Sequence, residues 1–173
     1  RIDSEMSRAE AEIVDLGALL TVLVDMQRPA FGAQTQQLTL DLPATGTVYV
    51  RAVEDRLVQV FQNILNNALS FNSEGGDVTI CVVQVDDNIS IDIKDQGPGV
   101  AKELYEAIFD RFHTLRPSGE PFGAHSGLGL SISRQIIDAH GGTIICRNSL
   151  TPDGKVLGAC FTIRLPAPKY EEA

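Results

Sequence analysis

Apolar positions change their spacing several times along the chain, and each change marks a new element. Over residues 1–26, Met6, Ile13, Leu16, Leu20 and Leu23 fall three, four or seven apart, which predicts a helix with a polar, Glu-rich start. From Gln36, "QQLTLDLPATGTVYVRA" alternates on either side of a Pro-Ala-Thr-Gly break and predicts two short strands around a turn. Helical spacing returns over 54–70, where Leu57, Phe61, Ile64, Leu65 and Ala68 form one stripe, and "NSEGGD" ends it. Strict alternation over 78–85 and 89–94, with a short polar turn between, predicts an antiparallel hairpin ending at Asp95. A short helix is expected near 102–108. Residues 114–126, with two glycines, two prolines and two serines, are too long for a casual connection and suggest a functional loop. An amphipathic helix over 128–139, stopped by "HGG", precedes strands over 143–148 and 157–165. Helices mixed with mostly antiparallel strands in this order predict an α+β fold, a two-layer α/β sandwich with the sheet on one side and helices on the other.

Composition narrows the possibilities. The chain has 173 residues, 43% of them hydrophobic, enough for one compact domain with a sizeable core. A formal charge of −9 leaves no electrostatic footprint for nucleic acid or for direct contact with an anionic membrane. Cys81, Cys146 and Cys160 are widely spaced without a CxxC pair, so buried free thiols in a reducing compartment are expected. No run approaches the ~18 apolar residues of a membrane span. The chain opens on Arg1, and we read it as a soluble piece of something longer.

Three short stretches carry candidate chemistry. In "SGLGL", Ser126, Gly127, Leu128, Gly129 and Leu130, two glycines sit where a loop becomes a helix. Each costs ~1 kcal/mol of helix stability relative to alanine. Unshielded N–H groups at a helix start cradle anions, a phosphate above all, although a plain flexible loop is an equal alternative. Neither GxGxxG nor GxxxxGK[ST] is completed. "DQGPGV", Asp95 to Val100, follows a strand directly. It has the makings of an ordinary turn, but a carboxylate at a strand end beside approachable backbone also suits the amino group of a planar base such as adenine. In "NILNNA", Asn63 and Asn67 stand four apart on one helix face, in line with Gln59 and opposite the apolar stripe. Solvent exposure would explain them; so would amide oxygens aimed at a phosphate-bound Mg²⁺.

The order and spacing of these stretches resemble the ATP-binding domain of bacterial sensor histidine kinases, within the wider family of gyrase, Hsp90 and MutL. "QNILNNA" matches that family's N box, "DQGPGV" its G1 box, "IFDRF" its F box and "SGLGLSISRQIIDAHGG" its G2 box, over about Asp15 to Leu165. The wording "HSGLGLSISRQI" is similar to alphaproteobacterial envelope-stress and acid-sensing kinases. The resemblance implies a Bergerat-type ATP-binding fold using ATP and Mg²⁺. It assigns Asn67 and Asn63 to Mg²⁺, Asp95 to the adenine amino group, and Gly97, Gly99 and Val100 to the base. Phe109 and Phe112 would anchor a lid, and the 126–130 stretch would bind phosphate. Many relatives carry a lysine or arginine where Ser70 stands, and an arginine where Thr114 stands, leaving Arg111 and Arg116 as candidate phosphate-neutralising cations.

Relatives that hydrolyse ATP place a glutamate one turn before the magnesium asparagine; Asn63 holds that position here and is no general base. Phosphoryl transfer to a neutral imidazole dispenses with such a base. His113, His125 and His140 lack the setting of an acceptor helix and are read as structural or solvated. The expected organisation is a remnant of the dimerisation and phosphoacceptor helix at 1–14, the ATP-binding catalytic domain at 15–168, and a tail at 169–173. The acceptor histidine would lie upstream on a separate dimerisation domain, and a response regulator would take the phosphoryl group. With only a stub of the dimerisation helix, the fragment is expected to be a monomer; by resemblance the whole protein would be a homodimer in the inner membrane, with this domain on the cytoplasmic side. A non-catalytic pseudokinase or scaffold, and a serine kinase of the anti-sigma type, are the alternatives on the same fold.

Overall fold

The computed structural model describes residues 10–72, 75–112 and 128–169. In chain order the elements are β1 (Glu12–Asp15), α1 (Leu16–Ala33), β2 (Gln37–Asp41), β3 (Tyr49–Ala52), α2 (Glu54–Phe71), β4 (Asp77–Val85), β5 (Asn88–Lys94), α3 (Gly129–Ala139), β6 (Thr143–Leu150) and β7 (Val156–Pro166). Single 3-10 turns at Lys102–Leu104 and Ala107–Phe109 stand where one short helix was expected.

Five strands form a mixed sheet in the order β2-β4-β5-β7-β6, with β2 parallel to β4 and every other pair antiparallel. Alternation sends Val78, Ile80, Val82, Ile89, Ile91, Ile93, Phe161 and Ile163 into the core, where they meet Leu57, Phe61, Ile64, Leu65, Ile136 and Ile137 of the helices. Thr79, Ser90, Asp92 and Thr162 fall on the opposite face and stay half-buried. The two-layer sandwich is therefore as expected, with α2 and α3 packed together over the sheet.

The N-terminal reading needs correction. Residues 1–9 lie outside the described residues, but Glu12–Asp15 form a strand, antiparallel to β3 with Val14 opposite Val50. Val14 points inward, 8% exposed, and Ile13 outward at 49%, the reverse of the helical stripe. Asp15 then N-caps α1, accepting from the Ala18 N–H at 3.0 Å, so the helix starts at Leu16. At its other end α1 runs beyond Met26 and through Pro29 to Ala33, held by buried Phe31. The two strands around the Pro-Ala-Thr-Gly turn both exist, but β2 joins the main sheet and β3 joins β1.

His140 has a structural post. Its Nδ1 donates to the Ile136 carbonyl at 2.7 Å and its Nε2 accepts from the Val53 N–H at 3.1 Å, joining the end of α3 to the start of α2. Val53 has no side-chain cap of its own, so the imidazole takes up a donor that the helix start leaves unpaired. Of the three free thiols only Cys146 is buried; Cys81 and Cys160 are half-buried, a partial correction to the expected burial. Burial pushes the Cys146 thiol up to about 12, which keeps it protonated and inert.

Candidate functional site

Asp95 sits one residue beyond β5, where its N–H still donates to the Ala159 carbonyl at 3.0 Å. Asp95 is a buried residue, 8% exposed, and one carboxylate oxygen, Oδ1, accepts from the N–H groups of both Gly97 and Ala159 at 3.0 Å. The other oxygen, Oδ2, has no hydrogen bond among the described residues. Loss of water raises the pKa of Asp95, against the lowering effect of the Ala159 and Gly97 N–H groups. A buried carboxylate with one oxygen fixed and one unspent is a positioned acceptor for an incoming donor.

The glycines of this loop answer first to the protein's own backbone. A Cβ at Gly97 would lie 2.3 Å from the Phe71 carbonyl oxygen at the end of α2. At Gly99, with φ +78°, it would lie 2.7 Å from Asn148 Oδ1 and from Val156. A third close approach, missed in the sequence, is Gly158 in β7, whose added Cβ would fall 2.0 Å from the Asp95 carbonyl oxygen. A lone glycine in an alternating strand is the signal that could have found it. Gly158→Ala is expected to destabilise the fold by roughly 1–3 kcal/mol, lowering Tm by about 2–12 °C, because the added methyl would meet backbone, which cannot yield as a side-chain tip does. A melting curve that matches the unsubstituted chain would contradict that close packing.

On α2 the two asparagines do different things. Asn63 Nδ2 donates to the Gly129 carbonyl at 3.2 Å and to Ser133 Oγ at 3.3 Å, stitching α2 to the first turn of α3. Ser133, fully buried, itself donates to the same carbonyl at 2.8 Å. Asn67, one turn on, is half-buried and makes no hydrogen bond among the described residues. Ser70, a further turn less one residue along, is also half-buried. Gln59 instead accepts from Arg56 at 3.4 Å.

Gly129 is the first residue of α3, with Leu128 before it and half-buried Leu130 after it. The Leu128 carbonyl accepts from the Ser131 hydroxyl at 3.0 Å and the Ile132 N–H at 2.9 Å. The helix start therefore lies beside Asn63, with the Gly129 Cβ position 3.6 Å from its side-chain carbon. Ser126, Gly127, Arg116, Thr114, His113 and His125 lie outside the described residues. The two F-box phenylalanines part company. Phe109 is buried, edge-on to Phe161 at 6.3 Å between ring centres, and covered by the Arg134 guanidinium at 4.0 Å. Phe112 is 67% exposed with φ 64°, and Arg111 lies 5.4 Å over its ring. Among the described residues, only Phe109 has the packing of an anchor. Arg134, also missed, adds an ion pair to Glu106 at 3.1 Å and a hydrogen bond to the Ile144 carbonyl.

The structure thus brings Asp95, Gly97, Gly99 and Val100 to one end of the sheet, with Asn63 and the start of α3 joined across the helix pair. The family model described as "Histidine kinase-, DNA gyrase B-, and HSP90-like ATPase" matches residues 52–169. Sensor protein ChvG of Agrobacterium fabrum is 39% identical over 99% of this chain, which spans 30% of that relative's length. The catalytic domain of histidine kinase ThkA superposes with a TM-score of 0.78 at 26% identity, over 92% of this chain and 97% of that one. Full-length ShkA, solved in complex with AMPPNP, gives 0.74 at 25% identity over 92% of this chain and 31% of that one. ThkA solved with response regulator TrrA gives 0.73 at 25% identity, over 91% of this chain and 42% of that one. With its motifs, its sheet order and its relatives in agreement, the chain belongs to the histidine kinase, gyrase B and Hsp90-like ATPase family, as an ATP-binding catalytic domain of the sensor histidine kinase kind.

Proposed function

We propose that this domain binds MgATP between α2 and the start of α3 and presents the γ-phosphate to a histidine on a separate dimerisation domain, from which a response regulator takes it. The observation that carries the reading is Asp95: its Oδ2 is unspent among the described residues, while Oδ1 is fixed by two backbone donors. An adenine amino group meets that acceptor; a guanine carbonyl in the same place would be repelled. Gly97, Gly99 and Val100 form the loop against the base. The start of α3 offers N–H groups to phosphate, together with Ser126 and Gly127. Arg111, Arg116 and Ser70 are the groups from this chain proposed to meet the remaining phosphate oxygens.

The amides on α2 fit Mg²⁺. Asn67 is half-buried and its oxygen is uncommitted among the described residues, and Asn63 spends its nitrogen on α3, which leaves its Oδ1 as an acceptor. Neutral oxygens suffice because the phosphates bring the charge. When bound, Mg²⁺ supplies charge neutralisation on the transferring phosphoryl group. The Asn63 amide cannot take a proton from water as a carboxylate would, so the arrangement favours transfer to a separate nucleophile over hydrolysis.

His140 is unsuited as acceptor because both ring nitrogens are committed within the fold. With labelled ATP, the chain alone is expected to retain no acid-labile phosphate, whereas adding the kinase's histidine-bearing dimerisation domain should transfer label to that domain. Acid-labile label on this chain by itself would overturn the separate acceptor. ATP binding without transfer to any supplied domain would instead favour a scaffold. The relatives' names and the ThkA complex with a regulator support the two-component setting. A homodimeric whole protein in the inner membrane, with this domain on the cytoplasmic side, is part of the same proposal. No helix among the described residues is long and apolar enough to cross a membrane.

A further inference from the structure

We propose that Asn148 and Asn72, which lie outside every nucleotide motif of the chain, are positioning residues that hold the base-binding loop 95–100 from its two flanks. The inference rests on the nucleotide reading above and adds to it the groups that keep Asp95 aimed.

On the exit side, Asn148 of β6 grips both polar groups of one residue. Its Oδ1 accepts from the Val100 N–H at 2.8 Å, and its Nδ2 donates to the Val100 carbonyl at 2.8 Å. A side-chain amide satisfying one backbone unit in this way imitates a strand partner where the sheet has ended. The grip needs Gly99, because a Cβ there would collide with the Asn148 amide. Asn148 is itself held, its N–H donating to the Tyr105 hydroxyl at 3.0 Å in the turn that leads to Phe109.

On the entry side, Asn72 ends α2 and accepts from the Gln96 N–H at 2.7 Å through Oδ1. Its Nδ2 donates to Gln36 Oε1 at 3.0 Å, and buried Gln36 donates to the Leu69 carbonyl at 3.1 Å. Gln96 in turn accepts from the Asp77 N–H at 2.7 Å. Gln96 and Val100 bracket Gly97, Pro98 and Gly99, and the two glycines are the soft points on either side of the proline, so the two asparagines fix both ends of the segment. Without them the loop would sample positions in which the Asp95 carboxylate and the backbone of Gly97 no longer face the base together. Affinity falls by the fraction of time the competent arrangement is absent.

The test is calorimetric titration of Asn148→Ala and Asn72→Ala with ADP and with inosine diphosphate, whose base carries a carbonyl where adenine has its amino group. Losing one or two hydrogen bonds that aim the acceptor predicts roughly tenfold weaker ADP binding in each variant. Inosine diphosphate should weaken less, so the adenine preference narrows. Asn72→Asp keeps the acceptor for Gln96 and should restore most of the preference. A merely structural role would lower Tm while leaving the preference of the folded protein unchanged, and that result would overturn the proposal. If Asn148→Ala does not fold, the Asn72 pair decides by the same two criteria. Asp95→Asn, run alongside, separates the failures: an unsubstituted chain that ignores both the base and Asp95 overturns the nucleotide reading itself, whereas adenine preference lost with Asp95 but kept in both asparagine variants overturns only the positioning role.

Discussion

Asp95→Asn is expected to bind ADP roughly 10- to 150-fold more weakly than the unsubstituted chain, the scale of one hydrogen bond to a charged acceptor of ~1.5–3 kcal/mol. The same change should leave the nucleotide-free fold at least as stable. Asparagine can still accept from Gly97 and Ala159 through one oxygen, and it removes a buried charge. The sign follows from the raised pKa. Folded Asp95 keeps its proton to higher pH than the unfolded chain, so its stabilising contribution is present below the unfolded value and lost as pH rises through the folded one. Above that window the carboxylate is a cost, which the variant escapes. Nucleotide affinity runs the other way: the amino group needs the ionised acceptor, so affinity in the unsubstituted chain falls on acidification through the Asp95 range and stays flat in the variant. Calorimetry across pH and a melting curve at neutral pH check both halves. Weak binding accompanied by a large drop in Tm would mean that Asp95 serves the fold rather than a ligand.

Asn67→Ala is the second large effect. It should remove the Mg²⁺-dependent part of nucleotide affinity and slow phosphoryl transfer by about 100-fold or more, the scale of losing one preorganised electrostatic contact at a reacting phosphate. The helix should not suffer. Asn67 has no partner to lose among the described residues, and alanine is the better helix former by up to about 0.7 kcal/mol. A substitution that strengthens the helix while disabling transfer would mark the asparagine as retained for function. Titrations with and without Mg²⁺ decide it, and an unchanged Mg²⁺ dependence would place the metal elsewhere.

Much of the architecture is legible before any coordinates because the long elements are strongly periodic. The stripe from Leu57 to Ala68, the hairpin alternation around Asp86 and the α3 pattern all appear where spacing puts them. What was missed depends on distant partners. Glu12–Asp15 share helical spacing with the residues around them, and only pairing with Tyr49–Ala52 makes them a strand. The expected helix ends at Met26, yet α1 continues through Pro29 to Ala33, and Phe31 near its end is buried in the core. β2 and β3 look like neighbours across a turn, and their separation into two sheets is set by β4 and β1.

The site divides along the same line. Asp95, the glycines and the α2 asparagines stand in short motifs whose residue types are costly where they occur. Asn148, Asn72, Gly158 and Arg134 act singly, each against a segment far away in sequence, and a single polar residue in a strand or at a helix end carries no periodic signal. Phe112 shows the converse, a motif position whose side chain is exposed while Phe109 alone enters the core.

The most direct measurement is calorimetric titration of the unsubstituted chain with ADP and inosine diphosphate in the presence of Mg²⁺. Adenine-selective binding, tighter for ADP by roughly tenfold or more, is the expected result for a base held on the free oxygen of Asp95. Equal affinity for the two, or no binding of either, would contradict it.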